Sequence, residues 1–422
     1  MAAIALAVGC STTKDTSTDR GGGGLATGGA KKDSGVIKIG VLTDLQGAFG
    51  IIGADTVRGV KQAVSEYGGK VAGKKIEIVV ESGDATPDTA VAKAQKLLQQ
   101  QKVDFIVGPI SGDEGLAIKE LARRTPDHVF INGSSAAQDF TLRNPVRNLF
   151  RFSTDGAQWH AGLGKYIYDK LGYRRIATVG EDYSYPYTQV GGLMDEFCAK
   201  GGHVVKKAWV PIGTSDYGSV ISAIPKNVDA VYVALGGSDA VNFLKQAGQF
   251  GLKVKLVGGT STLDQAVLSS KGQIAQQLVG TPAGGPIASD DPSPAWQKYV
   301  AGYKQQFPDG LPTPSLFAEA YYVETKAALM ALDQIKGDLS GGQVKFAETL
   351  SGLSLDGPTG PVKLDERRNA VAANYVTQVK MLNGALTNVT VEKIPAVDQT
   401  FGIPYEQYVT RHSYDREHPA CP

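Results

Sequence analysis

Cysteine is scarce in this sequence, with three in 422 residues (Cys10, Cys198 and Cys421) and no Cys-x-x-Cys pair. That excludes a structural zinc site of the usual spacing and a scaffold held together by many disulfides. The five histidines form no His-Glu-x-x-His. Neither a Gly-x-Ser-x-Gly elbow nor a Gly-x4-Gly-Lys-[Ser/Thr] loop occurs, so nothing announces an enzyme, a metal or a cofactor. Excess charge is missing too: 43 basic against 42 acidic residues leave a formal net charge of +1. Without a basic field the chain has nothing to hold a polyanion, and a nucleic-acid role is unsupported. No run of about 18 or more apolar residues occurs, so the chain does not cross a bilayer by itself.

What is present reads as ordinary globular material, 42% hydrophobic and 20% charged. At roughly 100 to 200 residues per domain, the length predicts two domains or one large one. The chain opens with a short apolar run ending Ala7-Val8-Gly9-Cys10. This resembles the lipobox of bacterial lipoproteins, shortened and without a basic start, as an initiation codon placed too far downstream would leave it. Residues 1–10 are therefore expected to be a truncated signal with Cys10 as the lipidation site. Residues 11–35, rich in Gly, Ser, Thr and charge, have too little apolar surface to fold and predict a flexible tether. The expected location is the cell envelope, outside the cytoplasm, with a lipid anchor in the membrane. In such an oxidising compartment Cys198 and Cys421 are expected to pair, fastening a polar tail at 411–422. The alternative is that Cys198 is a small buried hydrophobe and Cys421 stays free.

From Val36 onward strands and helices alternate. Val36–Thr43, Lys75–Glu81, Phe105–Val107 and His128–Ile131 read as strands. Between them are helices with apolar stripes Val57, Val60, Val64 and Val91, Ala94, Leu98, the second opened by Thr86 as N-cap and Pro87 at its first position. A helix over Gly115–Arg124 completes this unit. After Phe152 the scheme restarts with a helix over Gln158–Leu171, strand Arg175–Val179, helix Thr188–Lys200, and strands His203–Val210, Ala230–Ala234 and Lys255–Val257. Two doubly wound α/β lobes follow. Later helices near Pro294–Phe307 and Leu316–Ile335 are expected to pack back on the first lobe.

Five stretches in order carry a family resemblance: Ile37-Lys-Ile-Gly-Val-Leu with Gly59-Val-Lys-Gln-Ala63, Val107-Gly-Pro-Ile-Ser111, Gly180-Glu-Asp-Tyr-Ser-Tyr185, Leu244-Lys-Gln-Ala-Gly248, and Gly357-Pro-Thr-Gly-Pro361. Together they resemble the type 1 periplasmic binding proteins, in the leucine/isoleucine/valine-binding branch that serves ABC transporters. The resemblance implies two similar Rossmann-like lobes joined by three hinge crossings, placed near Ser153, Pro282 and Gly360. Lobe 1 is then 36–153 plus 283–360, and lobe 2 is 154–282 plus 361–410. It implies a non-catalytic monomer that takes a small organic ligand in the cleft and passes it to permease subunits. A ligand-sensing receptor subunit of the same fold is the alternative. A Rossmann-type oxidoreductase fails because the loop at 47–53 runs Gly-x-x-Gly-x-x-Gly, not the dinucleotide pattern.

Ligands of such sheets sit beyond the carboxyl ends of the strands, at helix N-termini. In the loop at 47–53, Phe49 and Ile52 are candidates to cover the ligand. The resemblance gives Ser111 and Gly112 a carboxylate-binding role. Asp113 and Glu114 beside them would repel an anion, and their plain role is to stabilise the helix start. Ser134, Ser135 and Ala136 match the family's second carboxylate and amine contact. In lobe 2, Tyr185 matches an aromatic position that closes over ligand, with Tyr183 and Tyr187 open between ligand contact and local packing. Trp159 is a weaker candidate. Thr260 stands where branched-chain binders place a glutamate against the ligand's ammonium. Either Asp113, Glu181 or Asp182 substitutes for that charge, or the ligand has no amine, and aromatic or branched carboxylates and amides are then as favoured as amino acids.

Overall fold

The computed structural model describes residues 35–270, 275–382 and 384–421. Cys10, the expected signal and nearly all of the expected tether lie outside the described residues. Among the described residues no helix is long and apolar enough to cross a membrane.

The first sheet contains β1 (Val36–Thr43), β2 (Lys70–Val71), β3 (Lys74–Ser82), β4 (Phe105–Val107), β5 (Phe130–Ile131) and β6 (Leu149–Phe150), in the order β2-β3-β1-β4-β5-β6. From β3 to β6 the pairings are parallel, with Ile39 opposite both Ile78 and Phe105. β1 is buried almost throughout because helices cover both faces, which is why it reads as a near-continuous apolar run. The sequence places β3 on one side of β1 and β4 on the other, so a switch point opens at the carboxyl ends of β1 and β4.

The second sheet repeats the arrangement with β7 (Arg175–Glu181), β8 (His203–Val210), β9 (Ala230–Ala234) and β10 (Lys255–Gly258), where β8 and β9 flank β7. It is extended by β11 (Pro282–Gly285), the hairpin β12 (Ser354–Gly357) and β13 (Gly360–Leu364), and the long antiparallel pair β14 (Ala370–Leu382) and β15 (Ala385–Val397).

These added strands move two of the expected crossings. Pro282 lies in β11, paired with β10 and β14, so the chain leaves lobe 2 only after Gly285. Gly360 lies at the turn of the β12–β13 hairpin, whose Leu355 and Val362 are buried in the lobe 1 core. The return therefore comes later, at the start of β14, where Asn369 bridges to Arg151 of the first crossing. There the fully buried Arg151 guanidinium donates to Asn369 Oδ1 (2.6 Å), Ala137 O (2.7 Å) and Thr141 Oγ1 (2.8 Å), and faces Asp155 at 3.6 Å. Each of its three nitrogens thus has an acceptor, and a carboxylate lies beside it, which is what a buried cation needs. Glu324 accepts from the N–H groups of Phe152 and Ser153, fixing the same crossing to lobe 1.

The helix Leu316–Gln334 packs along Gly50–Glu66, as expected of the later helices. Their backbones meet at Gly59, where a Cβ would fall 2.1 Å from the Ala318 carbonyl oxygen. Ser315 caps the first of these helices by accepting from Ala318 N. Thr86 does not cap its helix in this way, because its hydroxyl donates to Asp84 instead. The expected helix at Gln158–Leu171 is a 3-10 turn, Gln158–His160, followed by a short helix, Leu163–Asp169, with Gly162 in a left-handed conformation between them. Cys198 and Cys421 form a disulfide with their Cα atoms 5.5 Å apart.

Candidate functional site

Both switch points open into one cleft, and the lobes meet across it. Asp113 Oδ1 accepts from Ser184 N (3.1 Å) at one flank, and Asp264 Oδ2 accepts from Leu316 N (2.9 Å) at another. Gly237 has φ +51°, and a Cβ there would fall 2.0 Å from the Ala48 carbonyl oxygen. Gly112 faces lobe 2 as closely, since its Cβ would lie 2.4 Å from Ser184 Oγ and 2.9 Å from Tyr185 N. Glycine is required at both places because the lobes come together backbone to backbone.

Between these contacts the closed lobes leave a narrow cavity, partly open to solvent and with room for little more than one water molecule, lined by Phe49, Ile52, Ile110, Ser134 and Phe317 from lobe 1 and by Trp159, Tyr183, Tyr185, Gly236 and Ser261 from lobe 2. Phe49 and Ile52 reach it from a 3-10 turn and the first turn of the helix Gly50–Glu66, not from an open loop. The rings form a connected wall: Trp159 meets Tyr185 edge to face at 5.9 Å, Tyr183 lies 6.0 Å from Tyr185, and Phe49 lies 6.3 Å from Tyr183. The Tyr185 hydroxyl is bonded to Ser261 Oγ (2.5 Å) and also accepts from Ser261 N, while burial pushes its acidity far down. Ser134 Oγ has no partner in the protein.

Of the candidate residues, Phe49, Ile52, Ser134, Tyr183, Tyr185 and the weaker candidate Trp159 line the cavity, and the others do not. Ser111 Oγ accepts from Glu114 N while Glu114 Oε2 accepts from Ser111 N, a reciprocal capping box that stabilises the start of the helix Gly112–Arg124. Ser135 is buried against that helix at Gly115, and the Ala136 carbonyl accepts from Gly156 N. Asp182 accepts from the Tyr187 hydroxyl and pairs with Arg416 (3.3 Å). Thr260 is fully engaged inside lobe 2, donating to Gly284 O and accepting from Gln189. Its neighbour Ser261 takes the place on the cavity wall.

Sequence reasoning missed Ile110, Phe317, Gly236 and Ser261, and gave Trp159 too little weight. Ser261 is the residue after Thr260, and Trp159 comes from the 3-10 turn Gln158–His160. Phe317 carries no local signal, because it comes from a helix start far along the chain.

The acids near the cavity are not equivalent. Glu181 is fully buried, its Oε1 accepting from Gly236 N (3.0 Å) while Oε2 has no protein partner, and burial raises its pKa well above the ordinary carboxyl range. Asp44 and Glu114 form a second buried pair beside Gly83. Burial raises both, Asp44 to about 6, and the neighbouring Asp44 charge adds to the rise at Glu114. Among the described residues no lysine, arginine or histidine lines the cavity. The described residues contain no group of three or more His, Cys, Asp or Glu placed to hold a metal ion.

The sequence matches the periplasmic binding protein family over residues 36–385. It is 28% identical over 326 residues to the Leu/Ile/Val-binding protein homolog 7 of Brucella abortus (strain 2308), covering 73% of this chain and 80% of that one. Among solved structures it is similar to an ABC transporter substrate-binding protein from Sphaerobacter thermophilus (27% identity, TM-score 0.77, 86% of this chain and 99% of the other). It is also similar to a solute binding protein of an ABC transporter from Rhodopseudomonas palustris BisB5 in complex with 3,4-dihydroxybenzoic acid (25% identity, TM-score 0.79, 87% and 99%). The family match runs through both sheets and every wall of the cavity, and the chain belongs to the periplasmic binding proteins, in their type 1 fold, a family that binds substrates for transport and not one of enzymes.

Proposed function

We propose that this protein captures one small organic acid or amino acid between its lobes, outside the cytoplasm, and delivers it to the permease of an ABC transporter while a lipid on Cys10 holds it at the membrane. The observation that carries this reading is the cavity itself, whose aromatic wall is completed only when both lobes contribute. Five rings suit a flat or branched apolar body. The Ser134 hydroxyl and the paired hydroxyls of Tyr185 and Ser261 suit its polar end. The 3,4-dihydroxybenzoic acid held by the Rhodopseudomonas palustris protein supports an aromatic acid. The Leu/Ile/Val-binding relatives support a branched amino acid.

Glu181 is the residue on which the two ligand classes would differ. Asp182 is engaged with Tyr187 and Arg416, and Asp113 accepts from Ser184 N. Glu181 is the one of the three with a buried oxygen unpartnered, so a ligand ammonium would be met there. The test is calorimetry of the purified chain against branched amino acids, hydroxybenzoates and their amides. Binding of one class with scattering that shows a compact liganded particle supports the reading. Failure of all three classes to bind removes it. If an amino acid binds, Glu181→Gln should weaken it far more than it weakens any benzoate.

A further inference from the structure

Beyond residue 385, where the family match ends, the chain makes an excursion. β15 finishes at Val397 in the lobe 2 sheet. The chain then runs against residues 138–143 of lobe 1. The Gln399 side-chain amide donates to Gln138 O (3.0 Å), the Tyr405 hydroxyl to Leu142 O (3.1 Å), and Ser413 Oγ to Asp139 Oδ2 (2.8 Å), while Arg143 Nη2 donates to Arg411 O (3.0 Å). It then returns to lobe 2. The Tyr414 ring fills the hollow over Gly191, where a Cβ would fall 2.2 Å from it, and its hydroxyl donates to Asp195 Oδ2 (2.7 Å). Arg416 pairs with Asp182, Lys207 donates to Glu417 O (2.8 Å), and Cys421 is bonded to Cys198.

We propose that residues 398–421 are a clasp, fastened at both ends to lobe 2 and closed over lobe 1, that acts as a fourth link between the lobes and biases them towards the closed arrangement before ligand arrives. The three crossings are pivots, and backbone at a pivot turns without opposing the turn. The clasp is different. Its first end is held by the pairing of β14 with β15 and its last by a covalent bond, so its middle cannot follow lobe 1 when the lobes part. Opening must then give up the hydrogen bonds to residues 138–143. No clasp residue lines the cavity, so its influence on a ligand would run through the populations of open and closed forms alone.

The proposal rests on two lobes that open and shut, not on the identity of the ligand, and the test uses the ligand-free full chain. Small-angle scattering and hydrogen exchange are compared for wild type, for Cys198→Ser/Cys421→Ser, and for Tyr405→Phe/Ser413→Ala, which keeps the disulfide and removes two contacts to lobe 1. A larger radius of gyration in the second pair, with exchange at residues 138–143 faster by about tenfold, supports the clasp. Wild-type values in both variants overturn it. Opening in the cysteine variant alone also overturns it, since the disulfide would then serve only the integrity of lobe 2. Should the cysteine variant not fold, the Tyr405→Phe/Ser413→Ala chain decides by itself, and ligand-binding results of any kind leave this measurement unaffected.

Discussion

The two lobes share one winding but give the cavity different chemistry. Lobe 1 supplies Phe49, Ile52, Ile110 and Phe317, with Ser134 as its one polar side chain, whereas lobe 2 supplies Tyr183, Tyr185, Trp159 and Ser261. One half offers shape and the other offers shape with hydroxyls attached. The difference follows from what ends each switch point. In lobe 1 the polar groups at the strand ends are turned inward, into the Ser111–Glu114 capping box and the Asp44–Glu114 pair. In lobe 2 the helix beginning at Ser184 carries a tyrosine in its first turn, and that ring projects over the cavity. Two copies of one winding thus become complementary walls through the residues just beyond the strands, while the five strands added to the second sheet lie away from the switch point.

That contrast can be broken from either side. Tyr185→Ala removes a buried ring together with its hydroxyl, and should weaken ligand binding by about 2 to 4 kcal/mol, the range of an anchoring aromatic. Titration calorimetry on the folded variant measures it, and a wild-type value would move the anchoring role to lobe 1. Gly112→Ala places a methyl group against Ser184 and the Tyr185 backbone only when the lobes are shut. Overpacking of this kind costs about 1 to 3 kcal/mol. It should appear as weaker binding in calorimetry and as a more open ligand-free chain in small-angle scattering. Ser134→Ala, which deletes the polar side chain of the lobe 1 wall, should cost about 0.5 to 1.5 kcal/mol of affinity if that hydroxyl meets ligand. Affinity equal to wild type would leave lobe 1 as a purely apolar wall.

A further expected effect is on pH. Burial raises Asp264, which joins the lobes through Leu316 N, to about 7, against the opposing pull of the N–H groups of Ala266 and Leu316. A carboxyl raised by folding favours the folded form while protonated. Its contribution is full below the ordinary value near 4 and is lost as pH rises through 7. Asp291 runs the other way. Burial opposes ionisation there, but hydrogen bonds from Tyr375, Lys393 and Ser293 prevail and hold it at about 2, so its contribution is present above pH 4 and lost as pH falls towards 2. Melting curves between pH 5 and 7.5 should therefore flatten in Asp264→Asn and keep their slope in Asp291→Asn.

Much of this was legible in the residues. Val36–Thr43, Phe105–Val107, His203–Val210 and Ala230–Ala234 are strands with the same bounds in sequence and structure: the first, second and fourth are β-branched and aromatic runs buried almost throughout, while His203–Val210 is a half-exposed edge strand. β11 was not legible. Pro282-Ala-Gly-Gly285 has no strand propensity and is extended only because β10 and β14 hold it on either side. The misplaced crossings follow from that single strand and from the β12–β13 hairpin, whose apolar face belongs to the other lobe's core. At the cavity, Phe49 was readable from the glycine-rich stretch after β1, while Ser134 and Tyr185 came with the family resemblance. Phe317 and Ser261 were not, since each depends on how distant helices and strand ends are stacked.

The division of the cavity between two bodies also has a kinetic meaning. If the proposed ligand lies between Phe49 and Phe317 on one side and Trp159 and Tyr185 on the other, the rim it must pass is made by two bodies and widens only as they part. Its departure is then a unimolecular event timed by the protein, and a rival molecule in the medium, however concentrated, cannot hasten it.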